Sequence, residues 1–116
     1  MKKERIKEEL SWVEGKFIKG MARIYCLSLI ERGYTHGYDM LNYVKQESGV
    51  TLSPAFIYPV LQSLEEDGYI KGEWKHKKGR PDKKTYVLTK DGKALLEEAR
   101  KHLMMLVDGL SAKKHL

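Results

Sequence analysis

Six of the ten residues in the run Lys75-His76-Lys77-Lys78-Gly79-Arg80-Pro81-Asp82-Lys83-Lys84 are Lys or Arg and one is an acid, a local charge of +5. The whole chain of 116 residues carries +6, so the basic excess is a focused patch and not a diffuse property of the surface. Clustered ammonium and guanidinium groups at a turn attract phosphate, by Coulomb attraction and by releasing counterions from a polyanion. His76, Lys77, Lys78, Arg80, Lys83 and Lys84 are therefore the candidate phosphate-contacting side chains. A solvated loop with incidental lysines is the plainer alternative, and the elements around the run weigh against it.

Other chemistries find no support in the residue types and spacings. The chain has no Gly-rich phosphate loop opening a helix after a strand, no nucleophile elbow and no His-Glu metalloprotease spacing. A carboxylate pair such as Glu65 and Glu66 would be an arbitrary choice. His36, His76, His102 and His115 stand in no metal-ligand spacing with one another or with Cys26. Cys26 follows Arg23 by one helical turn, but it lies in the most apolar stretch and reads as a structural thiol. The expectation is a non-enzyme without cofactor or metal.

A mass of 13.5 kDa suits one domain, and 41% apolar with 33% charged residues is a globular composition without low-complexity segments or repeats. The basic start has no apolar stretch behind it, and the apolar run 17–30 is interrupted by Lys19 and Arg23. With a single cysteine, these features read as a cytoplasmic protein in a reducing compartment.

The positioning elements follow from periodicity. Ile6, Leu10 and Val13 describe a short amphipathic helix over residues 3–14, ending near Gly15. Residues 16–32 are apolar nearly all round and read as a buried central helix. A turn at 33–37 leads into a second core helix with Tyr38, Met40, Leu41 and Val44, stopping at Ser48-Gly49. Ser53 as N-cap and Pro54 at the first helical position open a third, which ends at Asp67-Gly68 and turns Ile57, Val60, Leu61 and Leu64 inward. Pro59 inside it removes a backbone bond and implies a kink or a tightened first turn. Residues 69–75 and 84–88 are β-prone segments flanking the basic Gly-Arg-Pro-Asp turn, a β-hairpin.

Thr89 caps a final helix with Asp91 in its first turn, expected to run to about His115. Its Leu96, Ala99, Leu103, Leu106 and Leu110 are spaced 3, 4, 3, 4, a heptad seam. At about 39 Å such a helix exceeds a compact domain of its size and needs a partner. The expected dimer interface is that seam, completed by Ile6 and Leu10 of the N-terminal helix; a helix folded back onto its own domain is the alternative.

Three helices followed by a hairpin with a basic tip is the winged helix-turn-helix plan: mainly α with a small β-hairpin. The organisation read from the sequence is an N-terminal helix (1–15), a winged helix-turn-helix domain (16–89) and a C-terminal dimerisation helix (90–116). The third core helix contains no Lys or Arg and ends in Glu65-Glu66-Asp67. Its neutral start, with Ser53, Ala55, Phe56, Tyr58 and Gln62, can approach base edges in a DNA major groove, while the wing cations supply sequence-blind attraction.

The chain resembles the PadR-like transcriptional regulators over about residues 16 to 110. The likeness is carried by His36-Gly37-Tyr38, Leu52-Ser53-Pro54, Ile57-Tyr58-Pro59-Val60-Leu61 and Leu64-Glu65-Glu66-Asp67-Gly68-Tyr69-Ile70. It continues with Trp74, Gly79-Arg80-Pro81-Asp82-Lys83-Lys84 and Tyr86-Val87-Leu88-Thr89-Lys90-Asp91-Gly92. The resemblance implies a cytoplasmic homodimeric repressor of a pseudo-palindromic operator, of the subfamily with a single C-terminal helix. It places Pro59 in the recognition helix and matches Ser53, Tyr58 and the wing to positions the family uses on DNA. Phe56 departs from the small or hydroxylated residue usual there.

Some members hold planar apolar or phenolic effectors at the dimer interface with aromatic residues of the C-terminal helix. Here that helix offers Leu103, Met104 and Met105 and no aromatic. Trp12 and Trp74 are the candidate cavity-lining residues, with packing as the plainer role. The rival to DNA binding is a winged helix that docks an acidic protein partner.

Overall fold

The computed structural model describes residues 2–76, 78–79 and 83–113. The elements run α1 (Lys2–Gly20), α2 (Ala22–Glu31), α3 (Gly37–Ser48), α4 (Pro54–Glu66), β1 (Ile70–Lys75), β2 (Lys83–Leu88) and α5 (Lys90–Asp108). This is the mainly helical fold with one small antiparallel hairpin that the sequence implies. The core lies where α2, α3 and α4 meet the hairpin base and the start of α5; Leu27, Leu29, Met40, Leu61, Leu64, Ile70 and Leu96 are its largest fully buried side chains.

The helix ends show which local signals prevail. At α4, Ser53 Oγ accepts the N–H of Phe56 at 3.1 Å and Pro54 occupies the first turn. Phe56 N–H also reaches Ser53 O at 3.0 Å, a three-residue step, so the first turn is tightened and the helix then continues through Pro59. Thr89 caps α5 by accepting Gly92 N–H at 3.1 Å, and its own hydroxyl donates to Gly68 O at 2.6 Å. Gly92 is required there, because a Cβ would run into the Tyr69 carbonyl.

Three sequence expectations are corrected. The first helix does not stop near Gly15 but runs to Gly20, and the break falls at Met21 (φ −91°, ψ 0°). One glycine costs a helix only about 1 kcal/mol relative to alanine, which flanking helix-forming residues overcome. The final helix stops at Asp108 and not near His115; residues 114–116 lie outside the described residues. Beyond it Leu110 N–H and Ser111 N–H bond to Val107 O and Asp108 O, three-residue turns around Gly109, which favours ending a helix.

The third correction concerns Leu96, placed in the dimer seam by its heptad position. It is 1% exposed inside the chain's own core. The first turns of α5 lie against α2, where Arg100 pairs with Glu31 at 2.7 Å. The seam opens gradually: Ala99 and Leu103 are half-buried, whereas Leu106 and Leu110 are 71% and 85% exposed. On α1 only Ile18 is buried, and Ile6, Leu10, Trp12, Val13 and Phe17 all face outward. The radius of gyration, 17.0 Å, exceeds the roughly 13 Å of a compact 100-residue domain because these helices stand away from it.

Candidate nucleic-acid interface

The hairpin pairs Ile70 with Leu88, Gly72 with Tyr86, Trp74 with Lys84 and Lys75 with Lys83. Alternation along the strands sends Ile70, Gly72, Trp74, Lys84, Tyr86 and Leu88 to one face and Lys71, Glu73, Lys75, Lys83, Thr85 and Val87 to the other. Ile70 and Tyr86 anchor the inner face in the core. The turn before α3 holds the β2 edge: Tyr86 N–H donates to Thr35 O at 3.0 Å and His36 Nδ1–H donates to Lys84 O at 3.2 Å.

Tyr58, Gln62 and Glu65 lie four and three residues apart on one side of α4. Tyr58, 46% exposed, lays its ring over the start of α3, where a Cβ on Gly37 would come within 2.7 Å of it. A cleft of about 290 Å³ is lined by Tyr58, His36, Gly37, Tyr38 and Asp39 on the helical side and by Trp74, Lys83, Lys84 and Tyr86 on the hairpin side. Tyr58, Lys84 and Tyr86 also line a second concavity with Gln62, Glu65 and Glu66. Tyr58 and Gln62 of α4 therefore share one face of the molecule with Trp74, Lys84 and Tyr86 of the hairpin.

The acidic end of α4 is spent within the fold. Glu65 Oε1 accepts Lys84 Nζ at 2.7 Å and its Oε2 accepts Gly72 N–H at 2.9 Å. Lys84's ammonium, and then Gly72's N–H, hold Glu65 below the ordinary carboxylate range, and the same bond raises Lys84. On the opposite flank Arg23 donates to Ser63 Oγ at 2.5 Å and to Asp67 Oδ2 at 2.9 Å. Gln62 Nε2 donates to Glu66 at 3.2 Å, which ties one end of its amide back along the helix.

The matching family model, described as the transcriptional regulator PadR-like family, covers residues 26–98. The chain belongs to the PadR-like family of transcriptional regulators. Among curated relatives, transcriptional regulator YqjI of Escherichia coli is 30% identical over 99 residues, 84% of this chain and 46% of that protein. The negative transcriptional regulator PadR of Bacillus subtilis is 35% identical over 74 residues, 62% of this chain and 41% of its own length. The chain thus spans about half the length of the curated relatives it matches.

Solved PadR-family structures share the fold. That of Eggerthella lenta aligns with TM-score 0.76 and 24% identity over 91% of this chain and 92% of its own. Bacillus subtilis PadR in complex with operator DNA aligns with TM-score 0.61 and 26% identity, over 81% of this chain and 49% of that one.

On this PadR-like scaffold Ser53, Ala55, Tyr58 and Gln62 are all exposed, as are His76, Lys78 and Lys83. Lys77 and Arg80 lie outside the described residues. Two of the residues assigned to DNA by sequence are only partly exposed and already engaged within the fold. Phe56 is partly buried against the core, with Lys19 Nζ 6.0 Å from its ring centroid, because its position on α4 turns it toward α1. Lys84 is engaged by Glu65 and lies 5.8 and 5.4 Å from the Trp74 and Tyr86 ring centroids.

His36, Tyr38 and Asp39 join the face without having been assigned to it; their only sequence signal is the His-Gly-Tyr opening of α3. Cys26 is buried, its thiol pushed up to about 12 by that burial. Among the described residues no group of three His, Cys, Asp or Glu side chains is arranged to hold a metal, and no helix is long and apolar enough to cross a membrane.

Proposed function

We propose that this PadR-like protein is a cytoplasmic homodimeric repressor that binds a pseudo-palindromic operator in double-stranded DNA. The start of α4 enters the major groove with Ser53, Ala55, Tyr58 and Gln62, and the hairpin lies along the flanking backbone with Lys75, Lys78 and Lys83, joined by Lys77 and Arg80. The observation that carries this reading is the shared face: Tyr58 and Gln62 of α4 line adjoining concavities with Lys83 and Lys84 of β2. The likeness to a PadR protein solved on operator DNA supports it.

Residues 16–89 serve as the reading head in this proposal, and residues 1–15 and 90–116 bring two heads together. The exposed apolar side chains of α1 and the outer half of α5, Ile6, Leu10 and Leu106 among them, with Leu110 just past the end of α5, support pairing with a second copy, with half-buried Leu103 at the edge of that surface. A small apolar or phenolic effector would enter at that interface, where exposed Trp12 of α1 provides the aromatic surface that α5 lacks. Trp12 fluorescence should then respond to planar hydrophobic compounds; a flat response across a varied panel argues for another input.

The deciding experiment titrates a random-sequence duplex of roughly 20 base pairs, two turns of DNA, at several salt concentrations. With about five phosphates met per dimer, log K falls against log salt with a slope near about −4.5. Replacing Lys75, Lys78 and Lys83 together by alanine should remove most of that slope. Undiminished duplex binding by the triple variant, coupled with loss of an acidic protein partner, would favour the protein-docking reading instead.

A further inference from the structure

The Glu65 carboxylate sits at the junction of three elements. It leaves α4, takes the backbone N–H of Gly72 on β1 with one oxygen and the ammonium of Lys84 on β2 with the other. Both side chains of the pair are 30% exposed, so they border the proposed DNA face without lying open on it. The fit is close at Gly72: a Cβ there would run into Lys84 Cε and stand 2.9 Å from Glu65 Oε2. Lys84 lines both concavities that hold Tyr58, so its ammonium would be within reach of a bound duplex if it were released.

We infer that Glu65 is a positioning residue for duplex binding: it pins both wing strands to the recognition helix and holds Lys84 off the phosphates, leaving attraction to the outward lysines. This rests on the DNA-binding reading above. A pair with no net charge at the root of the wing contributes nothing to counterion release, whereas Lys83, one residue away, exposed and at the rim of the cleft, contributes fully. The wing thereby attracts from its outer side and tip while its root keeps a fixed spacing from α4, which suits one register of groove and backbone. Glu65 limits non-specific binding by subtracting a cation from the surface nearest the base-reading side chains.

The test compares wild type with Glu65→Gln, Lys83→Met and the double variant Glu65→Gln with Lys84→Met, on a random-sequence duplex across a salt series. The amide introduced by Glu65→Gln keeps an oxygen for Gly72 N–H but, being neutral, frees Lys84. The single variant should therefore bind random duplex several-fold more tightly, with a slope steeper by about 0.9 per protomer. Lys83→Met should flatten the slope by the same amount, and the double variant should keep the wild-type slope.

A merely structural Glu65 would weaken binding in its variant without steepening the slope, which overturns the inference. So does a double variant whose slope flattens as much as that of Lys83→Met, since Lys84 would then be meeting phosphate directly. If Glu65→Gln fails to fold, as judged by its helical circular dichroism, Lys84→Met alone against Lys83→Met still decides: it should keep the wild-type slope, and a slope as flat as that of Lys83→Met overturns the inference. Failure of the wild-type protein to bind any duplex sinks the DNA reading itself, before a variant is compared, and takes this inference with it.

Discussion

The face formed by α4 and the hairpin differs from the outer halves of α1 and α5 in how its side chains are satisfied. On the first, polar groups find partners within the protomer: Glu65 with Lys84 and Gly72, Gln62 with Glu66, His36 with the Lys84 carbonyl. On the second, large apolar side chains such as Trp12, Phe17, Met105 and Leu110 are left mostly uncovered by their own chain. A wired polar face is preorganised to receive a ligand that brings its own charges. A bare apolar face is half of a core, and in the proposed dimer a second copy supplies the other half.

The strongest way to break this contrast is to charge the apolar side. Leu106→Asp with Leu110→Asp places two carboxylates where apolar burial is expected, costing association about 4 kcal/mol or more, a factor near 1,000. Sedimentation should then report a monomer, and the melting temperature should lose its dependence on protein concentration. Both residues are exposed in the protomer, so its fold should survive. An unchanged dimer would mean that these helices turn another face to each other.

The converse substitution strikes the domain that carries the wired face. Leu61 on α4 is fully buried, and Leu61→Ala should cost about 2–5 kcal/mol in chemical denaturation through lost burial and the cavity left behind. Ser53→Ala is smaller, about 1 kcal/mol, because it removes only the cap on Phe56 N–H. If Ser53 also meets DNA, duplex affinity should fall in conditions where the variant remains fully folded. Equal affinity at full folding would confine Ser53 to capping.

Much of this contrast was legible in residue order, and the parts that were not share a cause. Caps at Ser53 and Thr89, the left-handed Gly68 (φ 82°) and the hairpin alternation are local, so sequence spacing reports them directly. The heptad seam in α5 is equally visible, but periodicity says which residues lie on one face and not what that face meets. Leu96 meets the core of its own chain beside α2, and Leu110 stays open. The Glu65–Lys84 pair spans 19 residues and depends on the strand register that puts Lys84 opposite Trp74. No run or spacing announces it, which is why Lys84 reads as a free cation in the sequence and as a committed one in the fold. Phe56 follows the same rule, since only the placement of α1 decides that its ring is covered.

The smallest expected effect probes the wired face through pH. Glu65 titrates below its ordinary range in the fold, so the unfolded chain binds its proton first as pH falls. The stabilisation from the pair is therefore complete above the unfolded value of about 4.3 and is lost as pH drops through the lower folded one. Lys84, raised in the fold, sets the opposite limit: its share is present below about 10.4 and fades as pH climbs through the folded value. Thermal melts of wild type and Glu65→Gln should accordingly differ by a constant amount across the neutral range and converge in acid. A difference that persists undiminished at the acid end would assign the loss to packing around Gly72, because a protonated Glu65 can still accept that N–H while its attraction for Lys84 is gone.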